Sequence, residues 1–575
     1  MAKQSPAMHV VTSRRRHKGR EYETTLVRRS YRDGDRVRKQ TLANLSHLPP
    51  EAIDAVRRVL RGETLVGSDD ALEIERSLPH GHVAAVLGVL RELDLERLLG
   101  RERCRERDLC VAMICQRLLG AGSKLSATRR FSQTTLADEL DLGAVSEREL
   151  LAAMDWLLAR QQRVERTLAK RHLDPDGYVL YDLSSSYLEG RCCPLAALGY
   201  SRDNKRGTLQ INYGLICAPD GRPVAIEVHP GNSGDPATVA AAARAVSERF
   251  GIRDAVMVGD RGMLTQTQIK TLSEHRIGFI TALRAPQIAK LVAGPDFPLS
   301  LFDEYALAEI NSPEHPGERL IVCRNPAVAA ERTRKRQALL AATERELDKI
   351  TASVNGPRGR LRDAPAAAIA RRAGSVVNKY KMAKHYTLQI TDGHFSYQPK
   401  TSQIDDEALL DGLYVIRTDQ PADRLSAPAA VRCYKQLKLA ERAFAHLKGP
   451  ELQIRPIYHH LEDRVRAHAF LCMLAYHVHY ELTQRLADLL YTDTTPHQPV
   501  NPVTPAQRSA AATQKTTSHH NSDGHRLHTL TDLLADLGTL CRNQIRIPAT
   551  GHNYHQLTQP TPIQTRALTL LDITT

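Results

Sequence analysis

The stretch YVLYDLSSSYL, residues 178–188, decides the reading of this chain. Its aromatic, β-branched and leucine residues follow Gly177 and predict a strand. Asp182 stands inside that strand, where a carboxylate is costly to bury unless it is paired or bound to a cation. Reading outward, a polar stretch leads to a second strand, LQINYGLIC (209–217). Pro219-Asp220-Gly221 turns the chain into a third, PVAIEVH (223–229). The loop GNSGDP (231–236) opens a helix, with Asp235 expected as N-cap and Pro236 at the first helical position. A strand DAVMVG (254–259), a helix over 265–275 and a strand IGFITAL (277–283) follow. The order is β-β-β-α-β-α-β.

That order is the one of an RNase H-like core, in which the first and fourth strands lie side by side in a mixed sheet. Asp182 in the first strand would then stand next to Asp260, just past the fourth, in Gly259-Asp260-Arg261-Gly262. After Leu283 the alternation breaks. A long basic helix is expected over 326–352, then a hairpin HYTLQITDGHFSYQ turning at Asp392-Gly393, then a strand GLYVIRT. A helix opens at Ser426–Pro428 and stops at Gly449-Pro450. It carries Glu441, with Tyr434 and Lys448 seven residues to either side and so on the same face. The expected fold class is α/β: an RNase H-like mixed-sheet core interrupted by a β-rich and helical insertion. Five regions follow: 1–172, a basic β-element with a DNA-binding helical front end; 173–285, the first part of the core; 286–424, the insertion; 425–490, the rest of the core; and 491–575, a linker and helical tail.

Phosphodiester cleavage or transfer needs an activated attacking oxygen and a stabilised leaving oxygen, and two metal ions roughly 3.5–4 Å apart supply both. Magnesium and manganese are hard cations that prefer carboxylate and water oxygens. Asp182, Asp260 and Glu441 could hold two such ions, with Asp182 bridging because it is central to the sheet. Each acid also has an ordinary alternative. Asp260 could be a helix N-cap, and Glu441 could be a solvated charge beside Lys438 and Arg442.

The formal charge of +14 is localised. Residues 1–40 hold 12 Lys/Arg against four acids, Arg14, Arg15 and Arg16 among them, and residues 331–384 hold 14 against five. The rest of the chain is slightly acidic, so the basic character is confined to two segments, as expected where double-stranded DNA is gripped. No apolar run is long enough for a membrane span, and the N-terminus lacks a secretory core. A cytoplasmic protein, nucleoid-associated when on DNA, is expected. The ten cysteines form no paired metal-binding array. His459-His460 and His477-x-His479 bring no convergent carboxylate and read poorly as a metal site.

These residues resemble those of DDE-type insertion-sequence transposases, in the branch with a Tyr-x2-Arg-x3-Glu-x6-Lys signature and a large insertion before the glutamate (the insertion-sequence four group and its near relatives). Tyr434, Glu441 and Lys448 fall at the signature's spacing, whereas Leu437 stands at the arginine position with Lys438 beside it. The resemblance implies Asp182, Asp260 and Glu441 as catalytic metal ligands, with Mg²⁺ as cofactor in two copies and Mn²⁺ able to replace it. It implies Tyr434, Lys438, Lys448 and Arg261 as phosphate-binding residues, and a homodimer holding two element ends. Some relatives stack a flipped base on a Trp of the insertion. The single Trp here, Trp156, lies in the front end, which leaves that role absent or with Tyr380 or Tyr386. Alternatives of other classes are a catalytically silent DNA-binding relic and a nuclease that only hydrolyses.

Overall fold

The structure is a computed structural model that describes residues 8–63, 72–190, 192–293, 306–494, 496–497, 499–548 and 550–574. The chain divides into two units, one of residues up to 78 together with 541–558, the other of residues 79–540 and 559–575.

In the first unit, Met8–His17, Arg20–Asp33 and Arg36–Asn44 form an antiparallel sheet in chain order. Asp33-Gly34 leads into the turn between the second and third strands, with Gly34 at φ +60°. The helix Pro50–Leu60 approaches the first of these strands, and Arg57 donates to the Thr12 hydroxyl at 2.9 Å. Glu73–Pro79 makes a second small sheet with Cys541–Ile547 and His552–Leu557. The tail therefore supplies strands, where the sequence carries little sign of structure. Helix Ala510–Ser518 likewise lies in the stretch that reads as flexible linker.

The second unit is built on a nine-stranded mixed sheet. Its strands include β1 (Tyr178–Tyr187), β2 (Leu209–Cys217), β3 (Pro223–Pro230), β4 (Val256–Gly259) and β5 (Gly278–Ala282). β1 pairs antiparallel with β2 and β2 antiparallel with β3, while β4 runs parallel to both β1 and β5. The neighbours read from the sequence are thus in place. Parallel neighbours need helical crossovers, and α1 (Asp235–Arg244) and α2 (Gln266–Glu274) provide them. Beyond β5 the sheet continues through three strands of the interrupting segment: β6 (Leu307–Ile310), β7 (Arg319–Arg324) and β8 (Leu413–Thr418). β8 pairs antiparallel with both β5 and β7. The strand GLYVIRT, grouped by sequence with the insertion, therefore belongs to the main sheet.

The rest of the interruption has its own core. The long helix α3 (Pro326–Asn355), helix Ala366–Lys379 and the expected hairpin Tyr386–Thr391/His394–Pro399 bury Leu347, Ile350, Ile369 and Phe395 together. α4 (Ala427–Lys448) starts after Ser426 and ends at Gly449, and it packs on β1, β4, β5 and β8. α5 (Glu462–Arg485) is buried nearly all round, as a central core helix must be. Its His477 is fully enclosed and bonds the Pro223 carbonyl at 2.6 Å, and burial pushes it down to about 3. His479 is held down to about 3 by the same cause and stacks on Tyr476. Both are core histidines.

The turn between β2 and β3 touches α4. Gly221 sits at φ +89°, and a Cβ there would lie 2.8 Å from Cβ of Leu439. Gly221→Ala should cost about 1–2 kcal/mol from the backbone alone, and more from displacing α4. A lowered melting temperature together with weakened DNA cleavage checks this; an unchanged melting temperature contradicts it.

Candidate functional site

Register places the first two acids. Tyr181 is opposite Gly259 in the parallel pair β1–β4, so Asp182 and Asp260 follow one residue on, side by side. Side chains alternate across a strand. Tyr181 points to the α1 side, where its hydroxyl donates to the Thr238 carbonyl at 3.3 Å. Asp182 takes the other side, the one α4 covers, and Glu441 is carried by that helix. Asp260 is not a helix cap: α2 begins at Gln266 with Thr265 as its N-cap.

The three acids feel one another. Burial first, and then the charges of Glu441 and Asp260, push the Asp182 carboxyl up to about 7, against the Leu183 amide (2.8 Å) and Arg202, which favour its charged form. Crowded oxygen ligands of this kind suit a hard divalent cation, which would relieve their repulsion. Among the described residues, however, no three His, Cys, Asp or Glu side chains converge closely enough to hold a metal ion as they stand. Asp260 and Glu441 are both exposed.

The expected phosphate-binding residues separate into two groups. Tyr434 joins the acids: burial first, then the Asp260 carboxylate beside its hydroxyl, push it well above its ordinary value, with Arg261 opposing. Asp260, Arg261 and Tyr434 line a cavity of about 340 Å³ together with Arg332 of α3. Sequence reasoning misses Arg332; it is one of many arginines in a basic segment, and only folding brings it to the cavity that Asp260 lines. Lys448 instead pairs with Asp203 at 3.0 Å, and Arg455 pairs with the same carboxylate at 2.6 Å. Lys438 is exposed at the edge of a separate cavity with Arg442 and His446, and Leu437 is buried. Asp235, expected as a cap, lies inside α1 with Gly234 as N-cap, and its carboxylate pairs with Arg202.

The candidate aromatics differ in how far they are enclosed. Trp156 is covered by Arg160, 3.8 Å from its ring centroid. Tyr386 is 3% exposed in the core of the insertion, with its hydroxyl on Glu344 at 3.1 Å. Tyr380 packs against that same core.

In the N-terminal unit, pairing sorts the charges by face. Arg15, Arg28, Arg32 and Lys39 fall on one face of the sheet, which holds no Asp or Glu among the described residues of its strands. Arg14 and Arg16 fall on the other, opposite Glu23 and Glu21, and Arg14 pairs with Glu23 at 2.9 Å. Thr12 and the buried Thr25 and Val27 lie on that second face, which helix Pro50–Leu60 covers through Arg57. The three consecutive arginines are thus not equivalent.

A chain with this sheet, these acids and this charge has the make-up of a polynucleotidyl transferase. Residues 191–478, just over half of the chain, match the family described as Transposase DDE domain, and residues 10–70 match the IS1634 family transposase, N-terminal domain. The chain belongs to the DDE transposases and acts on DNA in transposition, and its N-terminal stretch is similar to that of the IS1634 family. The family works with divalent metal ions. The matched segment contains Asp260 and Glu441 and begins past Asp182. Among solved structures, the cryo-EM structure of the piggyBac transposase synaptic complex with hairpin DNA is similar at 9% identity, covering 80% of this chain and 76% of that one with a TM-score of 0.33. No curated protein matches. No helix among the described residues is long and apolar enough to cross a membrane.

Two measurements follow from these geometries. Asp182 keeps its proton to about pH 7 when folded, against an ordinary value of 3.8. The folded state therefore binds more protons in that window, and stability falls as pH rises through it, by at most about 1.4 kcal/mol per unit. Metal-free Asp182→Asn should melt above wild type at pH 8, with the gap closing below pH 4; a variant that melts no higher at pH 8 contradicts the site's electrostatics. Replacing Arg15, Arg28, Arg32 and Lys39 with Gln should flatten the salt dependence of duplex binding, by about 0.9 for each phosphate no longer neutralised. The pair Arg14→Gln and Arg16→Gln should change it less. Equal slopes for both sets would remove the acid-free face from the DNA interface.

Proposed function

We propose that Asp182, Asp260 and Glu441 are the catalytic carboxylates and that they bind two Mg²⁺, with Mn²⁺ able to replace them. The observation that carries this reading is the register that sets Asp182 beside Asp260 on the sheet face covered by the helix of Glu441. When bound, the ions supply activation of the attacking oxygen and stabilisation of the leaving oxygen. The chain's own residues do the positioning. Asp182, fixed in a central strand, gives the site a rigid side, while Asp260 and Glu441 are exposed and free to adjust. Arg261, Tyr434 and Arg332, which line one cavity with Asp260, would hold the phosphate being cut. In this reading Arg332 supplies the cation that Leu437 does not. Lys448 would contact DNA from the far end of α4, in competition with Asp203, and Lys438 would contact it from the exposed surface.

The wider reading is an RNase H-like core interrupted by an insertion with its own core, in a protein that works on cytoplasmic, nucleoid-associated DNA. Two protomers would hold the two element ends, cut them, and join their 3′-hydroxyls to target DNA.

The test is magnesium-dependent nicking and joining of a duplex that carries an element end. Asp182→Asn, Asp260→Asn and Glu441→Gln should each lower both activities by a factor on the order of 10³ or more, with binding of the duplex retained. Wild-type activity in any one of them would remove that residue from the site. Nicking without joined products would instead mark a hydrolytic nuclease.

A further inference from the structure

A second cavity, of about 630 Å³, opens where the helices of the front end meet the segment after α4. Its lining holds Arg117, Lys124 and Arg464, Arg455 already paired with Asp203, and the rings of His459 and His468. The acid in its lining is Glu147, which is exposed. Arg117 is 7% exposed and donates to neutral carbonyls, those of Leu452, Gln453 and Gly122, at 3.2–3.4 Å. Lys124 is also 7% exposed and its amine has neither a hydrogen-bond nor an ion-pair partner among the described residues. Arg464 leaves its buried Nε without an acceptor, and its nearest carboxylate, Asp155, is 3.7 Å away.

Burying a lone ammonium costs several kcal/mol unless an anion compensates it. Here the neighbours make matters worse. Burial and then Arg117 hold Lys124 down to about 7, and burial with Lys124, Arg117 and Arg464 nearby holds His459 down to about 4. A buried amine without a partner, facing a roomy cavity, is compensated best by an anion placed there.

The cavity is also tied to the proposed catalytic centre. Its wall at Ile457 bridges to Leu188, just beyond the end of β1, and the backbone amide of Glu189 donates to the Ile457 carbonyl at 3.0 Å. Arg455 lines the cavity and shares Asp203 with Lys448 at the end of α4.

We infer that this cavity is a phosphate site that takes a nucleotide, with Lys124, Arg117 and Arg464 around the phosphate. The volume is within the range of ordinary ligand pockets, roughly 300–1,000 Å³. The phosphate can come from a DNA strand leaving the catalytic centre or from a free nucleotide. The inference does not depend on which acids are catalytic.

The test uses the full chain, with deoxyadenosine monophosphate, deoxyadenosine and inorganic phosphate as probes in thermal melts, and an end-containing duplex in a titration. Wild type should be stabilised by the monophosphate and by phosphate, and not by deoxyadenosine. Lys124→Met removes the unpaired amine, so the variant should melt at or above wild type without ligand and bind the monophosphate roughly tenfold more weakly, the worth of one charge-assisted hydrogen bond. If DNA is the source, the monophosphate competes with the duplex, and Lys124→Met neutralises one phosphate fewer, which lowers the salt slope by about 0.9. If a free nucleotide is the source, duplex affinity and slope stay as in wild type while monophosphate binding is lost. Should Lys124→Met melt lower than wild type, Arg464→Gln takes its place with the same expected losses. Wild type that gains no stability from either phosphate probe, with duplex binding unaltered in the variant, overturns the inference.

Discussion

Everything in the larger unit depends on one constraint: β1 is the strand at which an antiparallel pairing on one side meets a parallel pairing on the other. The parallel side obliges the chain to cross over through helices, so β4 arrives with its C-terminal end level with the middle of β1. Asp260 then emerges beside Asp182 without any contact between the two side chains needing to specify it. The backbone hydrogen bonds of the sheet do the positioning. Tyr181, fully buried on the opposite face, locks the pleat so that Asp182 cannot turn away from α4.

Charge is handled in the opposite manner. Carboxylates are brought together against their mutual repulsion, and cations are left facing neutral partners. Arg117 rests on carbonyl oxygens, and Lys435 does the same with the carbonyls of Val503 and Thr504. The N-terminal sheet separates its arginines into a face balanced by glutamates and a face with none. Unbalanced charge costs stability in the isolated protein and is recovered only when an ion or a polyanion arrives. In the proposed reading, the uncompensated carboxylates face the metal ions and the acid-free basic face of the N-terminal sheet faces the DNA.

Much of the core was legible because β-strand alternation and helix stops are local. The order of β1 to β5, the bounds of α4 at Ser426 and Gly449, the long helix α3 and the hairpin turning at Asp392-Gly393 all follow from a few residues each. Other parts were not legible. β6 and β7 are short strands whose role as sheet extensions depends on the edge that β8 offers them. The tail hairpin Cys541–Ile547/His552–Leu557 joins Glu73–Pro79 through its first strand, hundreds of residues away. Asp235 has the local sequence of a cap, yet Arg202 supplies a stronger partner from another segment.

The sequence by itself determined which residues could do the chemistry: an acid in an apolar strand, an acid after a strand, and a Tyr-Glu-Lys face on one helix. Those are properties of residue type and spacing, and they survive any arrangement of the rest. Only the tertiary structure decided which of them meet. It put Tyr434 with Asp260 and sent Lys448 to Asp203. It brought Arg332 from the insertion into the cavity of Asp260, and it buried Leu437. The physical reason is that a charged side chain's partner is chosen by distance and burial, and neither is encoded within the turn or two of chain around it.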